Sequence, residues 1–176
     1  MAGRIPWFNL YLLPVLAVLL AGCASTKDPN DKLTTLLRVH LEAMPHGAVG
    51  TETIALPRSN PMPVKIESLY LLTEEHVVQA RVLEHLGTYS LEIQFNQWAI
   101  PLLEHNSSSN QGRRLAIQAQ WGPKQEYGRW LAAPRMNKRI VNGTITFTPD
   151  ASPEECHQIV TGLNNNARKV KSELTW

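Results

Sequence analysis

Cysteine is scarce in this chain: Cys23 and Cys156 are the only two among 176 residues. One of them sits in a terminal signal, as argued below, so a disulfide framework inside the domain is excluded. An excess of one charge is also missing. Lys and Arg total 17 against 15 Asp and Glu, with no sizeable basic block. The footprint of sequence-independent nucleic-acid binding is therefore lacking, and nucleic acid is not an expected partner. Arg113-Arg114 and Lys169-Val170-Lys171 read as solvated surface. The six histidines, His40, His46, His76, His85, His105 and His157, are scattered without the His-Glu-x-x-His spacing of a zinc site. The serines form no Gly-x-Ser-x-Gly elbow. No catalytic residue, metal or cofactor is expected, and the chain does not read as an enzyme.

Long apolar runs are limited to the N-terminus. A spanning helix needs about 20 predominantly apolar residues. Here Asn9 and Pro14 interrupt, and the uninterrupted core Val15–Gly22 is too short. Residues 1–22 instead have the parts of an export signal: Arg4 as a basic start, Leu10 to Leu20 as an apolar stretch, and small Ala21-Gly22 at its end. Leu20-Ala21-Gly22-Cys23 resembles the bacterial lipobox. That resemblance implies a diacylglyceryl thioether on Cys23, cleavage before it, and acylation of the new amine. Stable anchoring takes two acyl chains, each buried CH₂ contributing about 0.8 kcal/mol, so the protein is expected to stay on a lipid bilayer through acylated Cys23. The expected location is the cell envelope, lipid-anchored on the periplasmic or extracytoplasmic side. Ala24, rather than Asp, favours the outer membrane if there are two. Residues 23–33 are polar after the cysteine and read as a flexible spacer.

The remaining roughly 150 residues suit one domain with one core. It is expected over 34–166, with 167–176 as a polar tail. Leu36–Glu42 alternates as a half-buried strand, with His40 on its solvent side. Thr51–Leu56 and Val64–Glu67 are further strands, with a loop over residues 60–63 between them. Thr73 reads as an N-cap for a short helix through Val77, Val78 and Arg81. Ala80–Leu86 and Tyr89–Phe95 form a hairpin about Gly87-Thr88, with Leu91, Ile93 and Phe95 on one face. A helix is expected from Ala99 to about Ser108, placing Pro101 in its first turn. Trp98, Leu102 and Leu103 would anchor it, and Gly112 suits a left-handed position after it. Leu115–Trp121 and Trp130–Ala133 are strands. Ile140-Val141 and Thr144–Phe147 read as short strands about Asn142-Gly143. Ser152, Pro153 and Glu155 give a capping box with proline at the first helical position. Cys156, Ile159, Val160 and Leu163 form the helix's apolar stripe, and Asn164–Asn166 is expected to end it. The fold class is α+β: a mainly antiparallel sheet with two main helices on one face, the other face partly open.

Two segments resemble a known family. One runs from Phe95-Asn96 through Ala99, Leu103, Ser107, Asn110 and Gly112 to Leu115-Ala116-Ile117. The other is Pro134, Met136, Ile140 and Gly143, then Phe147, Glu154-Glu155 and Leu163. Together they look like the head subdomain of the first periplasmic region of SecD and SecDF, over roughly residues 62–165. Ala99 stands where that family usually has Gly, and Ser107 where it has Thr. The resemblance implies a domain that touches polypeptide outside the membrane, without the proton-driven transmembrane part.

Aromatic side chains with polar edges suit peptide contact. Trp98, Tyr127 and Trp130 are the candidate partner-contact residues, although core packing explains such aromatics more simply. The leading expectation is an envelope lipoprotein acting as a non-catalytic protein-binding module, with a role in protein export or envelope assembly. The alternative is an envelope hydrolase or small-ligand-binding lipoprotein whose site is built from loops such as Gly122–Arg129.

Overall fold

The computed structural model describes residues 29–45, 50–56 and 61–173. The expected export signal, Cys23 and His46 lie outside the described residues. The elements are β1 (Leu36–Glu42), β2 (Thr51–Leu56), β3 (Met62–Thr73), β4 (Val77–His85), β5 (Thr88–Phe95), α1 (Ala99–Ser109), β6 (Leu115–Trp121), β7 (Tyr127–Ala132), β8 (Thr144–Phe147) and α2 (Pro153–Glu173).

The strands divide into two antiparallel sheets rather than one. The larger has the order β2-β3-β1-β6-β7, the smaller β4-β5-β8. Alternation explains the main core. Leu37, Val39 and Leu41 on β1 and Leu115, Ile117, Ala119 and Trp121 on β6 face inward. They meet Leu91, Ile93 and Phe95 of β5, Ala99 and Leu103 of α1, and Cys156, Ile159 and Leu163 of α2. The α+β reading therefore holds.

The larger sheet does not stay flat. β1 is bulged against β3 on both sides of His40, and β7 is bulged against β6. Bulges bend a strand and tighten its twist. The two edge strands β2 and β7 come into contact, so the sheet curls. A second, smaller core fills that curl: Ile54, Leu56, Val64, Ile66, Ala116 and Ala133, with Met62 and Trp130 against them.

Several expectations are corrected. Met62 and Pro63 lie inside β3 rather than in a loop, because Ala55 and Leu56 pair with them at the sheet's edge, where proline is tolerated. Thr73 does cap, but only the 3₁₀ turn Glu74–His76, with His76 supplying the return contact to the Thr73 backbone. Val77, Val78 and Arg81 belong to β4. The β4–β5 turn is Leu86-Gly87, one residue earlier than expected, both residues having positive φ. Ile140-Val141 forms no strand; β8 pairs with β5. Leu102 and Trp98 are exposed, and α1 is anchored by Ala99, Leu103 and Ser107.

The largest correction is at the end of the chain. α2 does not stop at Asn164–Asn166; it continues to Glu173. Asparagine is a weak helix former because its amide competes for local backbone. Here successive side chains fan round the helix to two distant backbone stretches, one at Ala80 and one over residues 30–35. Asn164 accepts from Ala80 N (2.8 Å) and donates to Ala80 O (3.0 Å), filling the open edge of β4. Asn165 donates to Asn30 O (2.7 Å) and Leu33 O (3.0 Å), and Asn166 to Thr35 O (2.7 Å). Pro29–Lys32 accordingly forms a 3₁₀ turn docked on α2, so this part of the expected spacer belongs to the folded unit. Gly162 permits the approach: a Cβ there would sit 2.2 Å from Thr35 Oγ1 and 2.8 Å from the Thr34 carbonyl carbon. The capping box at the other end forms as expected, Glu155 N donating to Ser152 Oγ (3.2 Å) and Ser152 N to Glu155 Oε2 (2.8 Å).

Candidate functional site

The curl of the larger sheet leaves a concave outer face, closed at one end by the second core and open at the other. Register decides which side chains reach it. Arg38 pairs with Gln118 and His40 with Ala116, while Leu36 pairs with Gln120 and Trp130 with Gln118. Period two then puts Leu36, Arg38 and His40 of β1, Gln118 and Gln120 of β6, and Trp130 of β7 on this face. Tyr70, opposite His40 on β3, flanks it. The open end is a groove of about 200 Å³ lined by Leu36, Arg38, Gln118, Ala119 and Gln120.

Two polar side chains of this face, Arg38 and His40, are already satisfied. Arg38 donates to Glu74 Oε2 at 2.7 Å, and the same oxygen accepts from Leu37 N. The guanidinium also lies over the Tyr70 ring, 4.9 Å from its centre. His40, expected in solvent, is 8% exposed; its Nδ1 donates to Glu67 O at 2.9 Å. The imidazole is held edge-on between Tyr70 and Trp130. It is buried because the sheet curls over it. Gln118 and Gln120 are the exception. Among the described residues neither amide has a hydrogen bond, and Gln118 is half-buried. Each offers a donor and an acceptor to whatever enters.

The expected contact residues are not brought together. Trp130 lines the second core at the groove's edge. Tyr127, on the opposite face of β7, packs against Trp121, ring centres 6.1 Å apart, and closes over Gly122. Trp98 is 78% exposed at the start of α1. Sequence reading missed Tyr70, Gln118 and Gln120. The two glutamines were legible as the polar half of an alternating strand, but nothing marked their face as concave.

Groups suited to bond-making are elsewhere or occupied. Cys156 is fully buried, and burial pushes its thiol pKa up, with the Glu155 carboxylate adding. Glu154 is held below its ordinary range by backbone N–H at the helix start and by Ser152. Gly122–Arg129 forms the β6–β7 hairpin loop and the start of β7, and Arg129 pairs with Glu155. Among the described residues no three His, Cys, Asp or Glu side chains cluster as metal ligands, and no helix is long and apolar enough to cross a membrane.

No family model and no curated protein matches the chain. Solved structures do. One is described as a membrane component SecDF that enhances protein export. It is 16% identical, the match covering 94% of this chain and 71% of that one, with a TM-score of 0.53. SecDF in a super-membrane-facing form matches at 15% identity over 90% of this chain and 32% of that one, about a third of its length, with a TM-score of 0.46. The first likeness shows a shared fold, a mixed α+β arrangement of antiparallel sheets and two helices.

Proposed function

We propose that this protein is a non-catalytic polypeptide-binding module of the cell envelope, held on a bilayer by acylated Cys23 and contributing to protein export or envelope assembly. The reading rests on the concave face. A half-buried, unpartnered glutamine amide in a groove leaves a polar group with incomplete compensation for lost water. A bound chain supplies that compensation. Gln118 and Gln120 are two residues apart on a strand, so their amides repeat about every 6.6 Å. Like-facing backbone amides of an extended polypeptide repeat at the same interval. Trp130 and Tyr70 on either side offer apolar area with polar edges. The fold shared with a SecDF described as enhancing protein export supports the same reading. Trp98 and Tyr127 are secondary contact candidates, Trp98 because it is so exposed.

The direct test is a titration of the full-length protein with a reduced, alkylated, permanently unfolded polypeptide. Replacing Gln118 and Gln120 together by alanine is expected to weaken binding at least about tenfold, two lost hydrogen bonds at about 1 kcal/mol each, with thermal stability unchanged. Equal binding by the double variant would remove the concave face from the account. For the tether, Cys23→Ser is expected to yield a chain that takes up no labelled palmitate. Uptake by that variant would refute the acylation site.

A further inference from the structure

We infer a second, independent site: the open edge of β8 and the cleft beside it form a strand-addition slot for a short acidic segment of a partner protein. The backbone geometry carries this. Phe95 N donates to Gly143 O (2.9 Å), so residues 95 and 143 are a hydrogen-bonded pair. Antiparallel pairs alternate, which makes Ile93 with Ile145 and Leu91 with Phe147 the next bonded pairs. Glu92 and Thr146 are then a non-bonded pair, and the Thr146 N–H and C=O point away from β5. β8 is the last strand of its sheet, and among the described residues nothing bonds these two groups. The outward N–H of Thr144 is answered by Asn142 Oδ1 at 3.1 Å, which leaves its carbonyl open.

A cleft of about 280 Å³ adjoins this edge, lined by Thr144, Ile145 and Thr146 and by residues 134–138 and Ile140 of the segment that precedes β8. Buried Leu115 and Met136 belong to its lining, together with Ile140. Segment 134–136 is itself tied to β6's lead-in by Met136 N to Arg113 O (2.8 Å) and Gly112 N to Met136 O (2.9 Å). The slot therefore has a fixed far wall. An extended chain laid in it would complete the ladder through Thr146 and turn alternate side chains onto the apolar lining. The lining contains Arg135 and Lys138 and no carboxylate. That charge favours acidic side chains at the outward positions. It also disfavours a second copy of this chain pairing edge to edge, since like charges would be juxtaposed.

The probe is an end-blocked peptide of about six residues, alternating valine and glutamate, titrated into the full-length protein in mild detergent. Saturable binding is expected, weakened at least about tenfold when the backbone amides on one side are N-methylated. Lys138→Glu should weaken it several-fold. Thr146→Pro removes the outward N–H without deleting a donor to β5 and should mimic the methylated peptide. The methylated probe acts on unaltered protein, so the test survives if that variant misfolds. Equal affinity for the methylated peptide, or its equal loss in the Gln118/Gln120 double variant, would overturn the assignment. So would dimerisation of the free protein that Thr146→Pro abolishes. Failure here would leave the concave face standing, since the unfolded-polypeptide titration reads that face through other residues.

Discussion

Gly162→Ala separates two opposite expectations for one substitution. On an exposed helix surface, replacing glycine by alanine stabilises by about 1 kcal/mol through helix propensity. At Gly162 the new methyl would meet Thr35 Oγ1 at 2.2 Å, the Thr34 carbonyl carbon at 2.8 Å and Thr35 N at 2.9 Å. Two of those atoms are backbone, so no rotamer change relieves them. The leading segment must move off α2, and overpacking of this kind costs about 1–3 kcal/mol. Displacement also weakens the bonds from Asn165 and Asn166 to Asn30, Leu33 and Thr35, each contributing about 1 kcal/mol. The clash and lost bonds exceed the propensity gain, for a net destabilisation of about 1–3 kcal/mol. In a domain of this size that lowers Tm by roughly 2–4 °C per kcal/mol. Urea unfolding and a thermal scan measure it. Adding Thr35→Ala should restore only part of the loss, because it removes the hydroxyl, itself buried without a partner, and leaves the backbone contacts. If Gly162→Ala is as stable as the parent or more so, the docking of residues 29–35 on α2 is wrong.

Asn164→Ala should destabilise by about 1–3 kcal/mol and speed hydrogen exchange at the Ala80 amide, while exchange in β5 stays slow; unchanged exchange at Ala80 would contradict the edge-filling role. Ser152→Ala should cost about 1 kcal/mol by loss of the N-cap, read as a shift in denaturation midpoint. Cys156 has a thiol pKa raised by burial, so its folded-state value lies above the unfolded one. The stability it confers is complete below the unfolded pKa of about 8.5 and is lost as pH rises through the folded value. Cys156→Ala should therefore flatten the decline of the urea midpoint above pH 8.5, and a parallel decline in both proteins would refute the assignment. The same burial predicts no labelling of Cys156 by thiol reagents until the domain unfolds.

Much of the fold was legible because alternation and capping are local. β1, β2, β5 and β6, the start of α1 and the box at Ser152 all follow from residue type and spacing. The misses share a cause: a distant partner overrode a local preference. Asn164–Asn166 looks like a stop signal until Ala80, Asn30, Leu33 and Thr35 are seen to receive its amides. Val77 and Val78 suit a strand as readily as a short helix, and pairing with β5 decided it. His40 alternates into solvent on a flat sheet, yet the bulges beside it bend the sheet over the ring. The candidate site was the least legible part. Trp130 was singled out for its type, but the groove depends on curvature and on register between β1 and β6, which no short stretch encodes.

Site-specific photocrosslinking in living cells tests the polypeptide-binding claim most directly. A photoreactive residue at position 120, in the groove, is expected to yield a covalent adduct with another polypeptide. The same group at Leu86, which is 92% exposed at the β4–β5 turn, should yield none. Adducts of equal strength at both positions, or none at position 120, would contradict the account.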